Sequence, residues 1–206
     1  MIIVEQSATL LSITKEPEIL LERAGRTCYK SEDKITEESA PKFVKMICKR
    51  NHESVLEHAI ATIVFTTDRG ITHELVRHRI ASYSQESTRY VNYYKKGEIR
   101  VVMPLAMSIG QTIHWRRAME DAQENYNKMI AEGCTPEVAR DVLPTCLAAD
   151  IVVTANFREW KHIIKLRTAK AAHPKIRQLI GYAQAILIEH SPTVFTPEET
   201  KDMTHA

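Results

Sequence analysis

Apolar residues recur in blocks along the chain, and changes in their spacing mark the elements. Ile2-Ile3-Val4 is a short apolar run of strand type. Across residues 17–28, Ile19, Leu20 and Ala24 fall at helical spacing, and Pro17 suits a first turn. Phe43, Val44, Met46 and Ile47 form the stripe of a second helix, with Pro41 near its start and Thr36 or Ser39 as its cap. Residues 59–66 are β-branched and apolar, the pattern of a buried strand, and Asp68-Arg69-Gly70 interrupts it. Ile71, Leu75 and Val76 predict a short helix after the break. A strand is expected over 99–103, and a long amphipathic helix over 111–131 with Gly133 just past its end. Thr135-Pro136-Glu137 opens a short helix that Pro144 stops. Residues 148–154 read as a strand, and 157–166 and 174–189 as helices. The segment 192–206 is polar and is expected to be a loose tail.

This order of elements predicts a mixed α/β (α+β) fold: one domain over residues 1–206, with helices packed on a modest mixed sheet. Length agrees, since 206 residues suit one domain with a sizeable core. Hydrophobic residues make up 44% and charged residues 26%, as in ordinary globular chains. A net charge of +2 argues against a nucleic-acid coat protein, so any anion site must come from local clustering. No apolar stretch approaches the roughly 20 residues that cross a bilayer, and no signal peptide is evident. Cys28, Cys48, Cys134 and Cys146 form no C-x-x-C pair, which suits free thiols in a reducing cytoplasm.

Residues 77–90 break every apolar pattern. They hold three arginines, a histidine, Gln85, Glu86 and a series of hydroxyls (Ser84, Ser87 and Thr88 among them). Unpaired buried charges cost several kcal/mol each, of the order of, so this segment is expected to be solvated or wrapped around an anionic ligand. Arg77 and Arg79 would point about 200° apart on a helix, so either they grip two ligands or the chain leaves the helix there. Guanidinium forks match phosphate and carboxylate, and Ser84, Ser87 and Thr88 beside Arg89 suit a phosphate. His52, His58, His73 and His78 raise the question of a zinc site. His73 and His78 are five apart, about 140° around a helix, so they cannot share a metal from one face, and no metal is expected.

Arg77-His78-Arg79, seven residues, then Ser87 resembles the signature of the flavin-dependent thymidylate synthases. Three further blocks resemble that family in the same order. They are His52-Glu53-Ser54-Val55-Leu56-Glu57-His58, then Ala139-Arg140-Asp141-Val142-Leu143-Pro144, then Asn156-Phe157-Arg158 through His162 to Arg167. The resemblance implies reductive methylation of dUMP to dTMP, with methylenetetrahydrofolate as carbon donor and NADPH as reductant through FAD. It implies dUMP contacts from Glu74, Arg77, Gln85, Glu86, Ser87, Thr88, Arg89, Arg140 and Arg167, the last as the catalytic cation on the pyrimidine. It implies FAD contacts from His52, Ser54, Arg77, His78, Arg79, Gln85, Asn156, Arg158 and His162. It further implies a cytoplasmic homotetramer with sites shared between subunits, and chemistry without a cysteine nucleophile. Glu74 stands where relatives often carry Gln. Asn156 alone could be only a helix cap, and Arg140 alone a surface residue pairing with Glu137 or Asp141. The alternatives are an enzyme modifying C5 of another pyrimidine nucleotide, and a non-catalytic nucleotide- or RNA-binding module. Against the second stand the balanced charge and the lack of a stacking platform beyond Tyr83, Tyr90, Tyr93 and Tyr94.

Overall fold

A computed structural model describes residues 1–197. The strands are β1 (Ile2–Val4), β2 (Ser7–Ile13), β3 (Ile60–Asp68), β4 (Ala81–Gln85), β5 (Arg100–Val102) and β6 (Ala148–Asn156). The helices are α1 (Pro17–Tyr29), α2 (Ser39–Lys49), α3 (Arg69–Leu75), α4 (Tyr93–Lys96), α5 (Ile109–Ala131), α6 (Pro136–Ala139), α7 (Phe157–Arg167), α8 (Pro174–His190) and α9 (Pro192–Phe195). Turns of 3₁₀ type cover Glu32–Lys34, Glu53–His58 and Arg140–Val142. The mixed α/β fold expected from the sequence is what forms.

The two β-branched runs make the centre. β3 and β6 pair antiparallel from Ile60 opposite Asn156 to Asp68 opposite Ala148. β2 flanks β3 and β4 flanks β6, giving an antiparallel order β2-β3-β6-β4. The expected mixed sheet is therefore corrected to two sheets, because β1 and β5 pair in parallel by themselves. Alternate residues of β3 (Ala61, Ile63, Phe65) are fully buried and meet Leu21, Phe43, Trp160 and Leu179 from the helices. Trp160 satisfies its buried indole N–H on the Ala61 carbonyl at 3.1 Å. Gly25 permits α1 to approach α2, since a Cβ there would lie 2.5 Å from Phe43 Cε1. A second core gathers Tyr93, Ile99, Val101, Met119, Tyr126 and Leu147 under α5.

Several expectations need correction. β2 and β4 were not foreseen as strands. α2 takes Glu38 as its N-cap without a side-chain cap bond, and Ser39 Oγ instead donates to Glu22 Oε2 at 2.7 Å. The expected loose tail begins as α9, whose Val194 and Phe195 are buried against the core, and residues 198–206 of it lie outside the described residues. At the end of β3, Asp68 does two things. Its Oδ1 accepts from Ile71 N at 2.8 Å, capping α3, and its Oδ2 receives Lys175 Nζ at 2.6 Å. Both side chains of this ion pair are under a tenth exposed, and Lys175 also donates to the Val102 carbonyl at 3.1 Å. The pair ties α8 to the start of α3, the helix that leads into the arginine segment.

Candidate active site

α3 ends at Leu75, and His78 N returns to the Leu75 carbonyl at 3.0 Å. The chain thus leaves the helix before Arg77, one of the two options the spacing left open. Both guanidiniums are exposed, and neither forms an ion pair among the described residues. The segment is not wholly solvated, however. His78 is 5% exposed and Thr88 6%, and residues 81–85 form an edge strand whose exposure alternates. These polar side chains tolerate burial because they are paired. The Tyr83 hydroxyl lies 2.8 Å from the Leu75 carbonyl and 2.7 Å from that of His78, pinning the turn. Burial, and then the Glu159 carboxylate, push Tyr83 up to about 12, so it remains a donor.

The turn delivers His78 to Arg167, the last residue of α7. Arg167 Nε donates to His78 Nε2 at 2.9 Å. Its Nη1 donates to Glu74 Oε2 at 2.8 Å, and its Nη2 to the Glu74 carbonyl at 2.8 Å. A guanidinium has about five N–H donors, so roughly two remain for a ligand. Because Nε2 accepts, the hydrogen-bond pattern assigns the His78 proton to Nδ1, which faces Glu159 Oε1 at 3.5 Å. Burial first, then the charge of Arg167 and of His162, lower His78 from 6.5 to about 4. His78 is therefore a neutral acceptor holding Arg167 in place. Burial raises the Glu159 carboxyl.

Sequence reading did not name Glu159, although it sits beside Arg158. His78, Glu159 and His162 have ligand atoms within 4.8 Å of one another, a donor set a metal could use. The His78 lone pair is already taken by Arg167, and the guanidinium places positive charge at that spot, so the trio fits a hydrogen-bonded role better than a cation site.

His162 opens onto a cavity of about 610 Å³. Asn156 lines it from the end of β6, Arg158 and His162 from α7, and Ile80, next to Arg79, from the turn. Three of the expected flavin residues thus share one hollow. Asn156 also caps α7, accepting Glu159 N at 2.8 Å. Arg158 Nη1 meets Glu57 Oε1 at 2.6 Å, and Lys161 Nζ meets Glu53 Oε1 at 3.2 Å, so two wall carboxylates are neutralised. His52 and Ser54 do not line this cavity. Both are exposed, and His52 Nδ1 bonds the Tyr29 hydroxyl at 3.0 Å. Gln85 donates to Thr72 Oγ1 at 3.0 Å.

A second polar group forms beyond the other end of β4. Arg140 Nη1 approaches Thr88 Oγ1 at 3.4 Å, Arg89 N bonds Ser87 Oγ at 3.3 Å, and Arg89 Nε pairs with Glu137 at 2.9 Å. The pairing expected for a surface Arg140 is weak, at 4.0 Å from Asp141 Oδ1. Glu86 turns away from this group. Its carboxylate accepts from the Tyr93 hydroxyl at 2.9 Å and pairs with Arg100 at 3.2 Å. Arg100 also reaches Asp150 at 3.1 Å. Cys146 is part-buried, and burial raises its thiol. The cation acting on it is Lys175.

Residues 9–193 match the family described as Thymidylate synthase complementing protein. The chain is 36% identical over 195 residues to a flavin-dependent thymidylate synthase of Geobacter sulfurreducens, covering 90% of this chain and 84% of that one. It is 34% identical over 181 residues to a flavin-dependent thymidylate synthase of Pyrococcus abyssi, covering 83% and 74%. A crystal structure of a UMP/dUMP methylase from Streptomyces cacaoi, bound with 5-Br dUMP, superposes with a TM-score of 0.83 at 21% identity, covering 95% of each chain. That likeness concerns the fold. No helix among the described residues is long and apolar enough to cross a membrane.

Proposed function

This chain belongs to the Thymidylate synthase complementing protein family, the flavin-dependent thymidylate synthases, and from that premise we propose that it methylates dUMP at C5 to give dTMP. Methylenetetrahydrofolate is the carbon donor and NADPH the reductant. The observation that carries the reading is the fixed Arg167 guanidinium, anchored by His78 and Glu74 at 2.8–2.9 Å beside the cavity that Asn156, Arg158 and His162 line.

FAD, when bound, supplies the redox chemistry between NADPH and the transferred carbon. The residues present fit it. Arg77 and Arg79 offer exposed guanidiniums without ion-pair partners among the described residues, as a diphosphate requires. Asn156, Arg158 and His162 offer polar groups to the ring system. Arg167 uses its remaining N–H donors on a uracil oxygen, so the negative charge that oxygen carries in the enolate-like form that makes C5 nucleophilic is met by a preset cation. Glu74 reduces that cation's net field, so it tunes the polarisation rather than contacting phosphate. Cys146 is held as the thiol, which supports chemistry without a cysteine nucleophile.

Ser87, Thr88, Arg89 and Arg140 form the phosphate end of the dUMP site. The Arg167 group and this group sit beyond opposite ends of β4, whose ends are about 13 Å apart at a rise of roughly 3.3 Å per residue. That separation supports a homotetramer in which Arg167 of one copy faces the phosphate residues of another. We assign the enzyme to the cytoplasm. The test is spectroscopic: purified protein should be yellow, and dUMP should perturb the flavin bands. Protein that stays colourless after soaking in FAD sinks the reading.

A further inference from the structure

The outer edge of α7 separates two hollows. One is the cavity of about 610 Å³ assigned above to the flavin. The other, about 590 Å³, lies where α7, α8 and α9 meet. Lys161 and Lys165, one helical turn apart, belong to both walls. They form a cationic rim between the hollows.

The two lysines differ in what they already hold. Lys161 is paired with Glu53 at 3.2 Å. Lys165 is exposed and has no ion pair among the described residues. The second hollow has no carboxylate in its wall among those residues, while Asn51, Gln184 and Thr196 present polar groups there. Gln184 spends one amide N–H on the Phe195 carbonyl at 3.3 Å and keeps another. Ile164, Val194 and Phe195 close the floor. An apolar floor beneath unpaired donors and a free cation suits a chain of methylene groups that carries carboxylates.

We propose that this second hollow receives the glutamyl tail of the folate co-substrate, with Lys165 as its carboxylate-binding residue. The inference rests on the reading of the chain as a methylenetetrahydrofolate-using synthase. The one-carbon unit on the pterin must reach the flavin cavity, so the aminobenzoyl-glutamyl end must leave it. Across the Lys161–Lys165 rim lies a wall free of acids among the described residues. Each γ-linked glutamate added to the tail brings one more carboxylate toward Lys165. The phosphate on the NADPH ribose is the other anion with matching chemistry. It is compact and gains nothing from the apolar floor.

The experiment compares monoglutamyl and pentaglutamyl methylenetetrahydrofolate, by KM in turnover and by calorimetric binding of the matching folates to the flavin-loaded enzyme. One exposed lysine–carboxylate pair is worth up to about fivefold in affinity, so the pentaglutamate should bind about 3- to 5-fold tighter, less so at high salt. Lys165→Ala should bring the two folates within about twofold, and Lys165→Glu should favour the monoglutamate. KM for dUMP should hold, and both folates are compared at equal flavin content, because Lys165 also borders the flavin cavity. Equal KM and binding for the two folates in the wild type overturns the proposal, as does a preference that survives Lys165→Glu in protein of unchanged melting temperature. A raised KM for NADPH in that variant, with the folate preference intact, gives Lys165 to the reductant and also overturns it. Equal use of both folates with dTMP still formed removes this inference alone, whereas absence of dTMP from either folate removes the functional reading with it.

Discussion

Replacing Arg167 probes the proposed electrostatics most sharply. The side chain makes three anchoring hydrogen bonds, to His78 Nε2, Glu74 Oε2 and the Glu74 carbonyl. Arg167→Ala removes the cation and strands three acceptors on two residues. Glu74 is about a third exposed and can be rehydrated, so the structural cost falls mainly on the buried His78. An unsatisfied buried acceptor costs about 1–3 kcal/mol, a loss of a few degrees in melting temperature for a chain of this length. The catalytic cost is larger, because losing one preorganised donor to developing charge lowers kcat by about 100- to 1000-fold. Arg167→Lys keeps the charge but cannot span three acceptors with one nitrogen, so it should fall between wild type and alanine. The assay is dTMP formation at saturating dUMP, with flavin content and melting temperature measured on the same preparations. If Arg167→Ala retains flavin and its kcat stays within about threefold of wild type, a gap under 1 kcal/mol, Arg167 is not the polarising group.

Removing one partner of the Asp68–Lys175 pair leaves a buried charge, so Lys175→Met should cost about 3–5 kcal/mol in urea unfolding at fixed protein concentration. The double variant Asp68→Asn/Lys175→Met should recover most of that, since asparagine still caps α3, and additive losses would contradict the pairing. His78, held down at about 4 against 6.5 in the unfolded chain, is neutral in the fold. Its contribution is present above pH 6.5 and is lost as the unfolded chain takes up the proton between pH 6.5 and 4. The loss is on the order of 2–3 kcal/mol at most, and His78→Gln should show a shallower fall over that window. Serine at all four cysteines should leave dTMP formation largely intact, and complete loss of activity in folded, flavin-bound protein would return the mechanism to a thiolate.

Regular apolar periods were readable from the sequence. β3, β6, α5, α7 and α8 carry enough β-branched or helix-spaced residues to identify their type, and Gly133 stands with φ of 96° just past α5 as its composition suggested. β2 and β4 were hidden because they are edge strands. Ser82, Ser84 and Gln85 read as a loop, yet Ala81, Tyr83 and Gln85 alternate inward on β4. β2 also carries an irregularity in its pairing between Leu10 and Ser12, which breaks the period-two signal. The site was legible as a set of motifs but not as contacts. The bond between His78 and Arg167 joins residues 89 apart in sequence, and the Asp68–Lys175 pair spans 107. Such partners have no local signature. Glu86 likewise gave no hint in the sequence that Tyr93 and Arg100 would hold its carboxylate.

The most direct measurement is the mass of the nucleotide formed when the flavin-loaded protein is given dUMP, methylenetetrahydrofolate and NADPH. The account predicts dTMP, formed with NADPH oxidation that accelerates on adding dUMP. A hydroxymethylated pyrimidine, or dUMP returned unchanged by folded, flavin-bound protein, would contradict it.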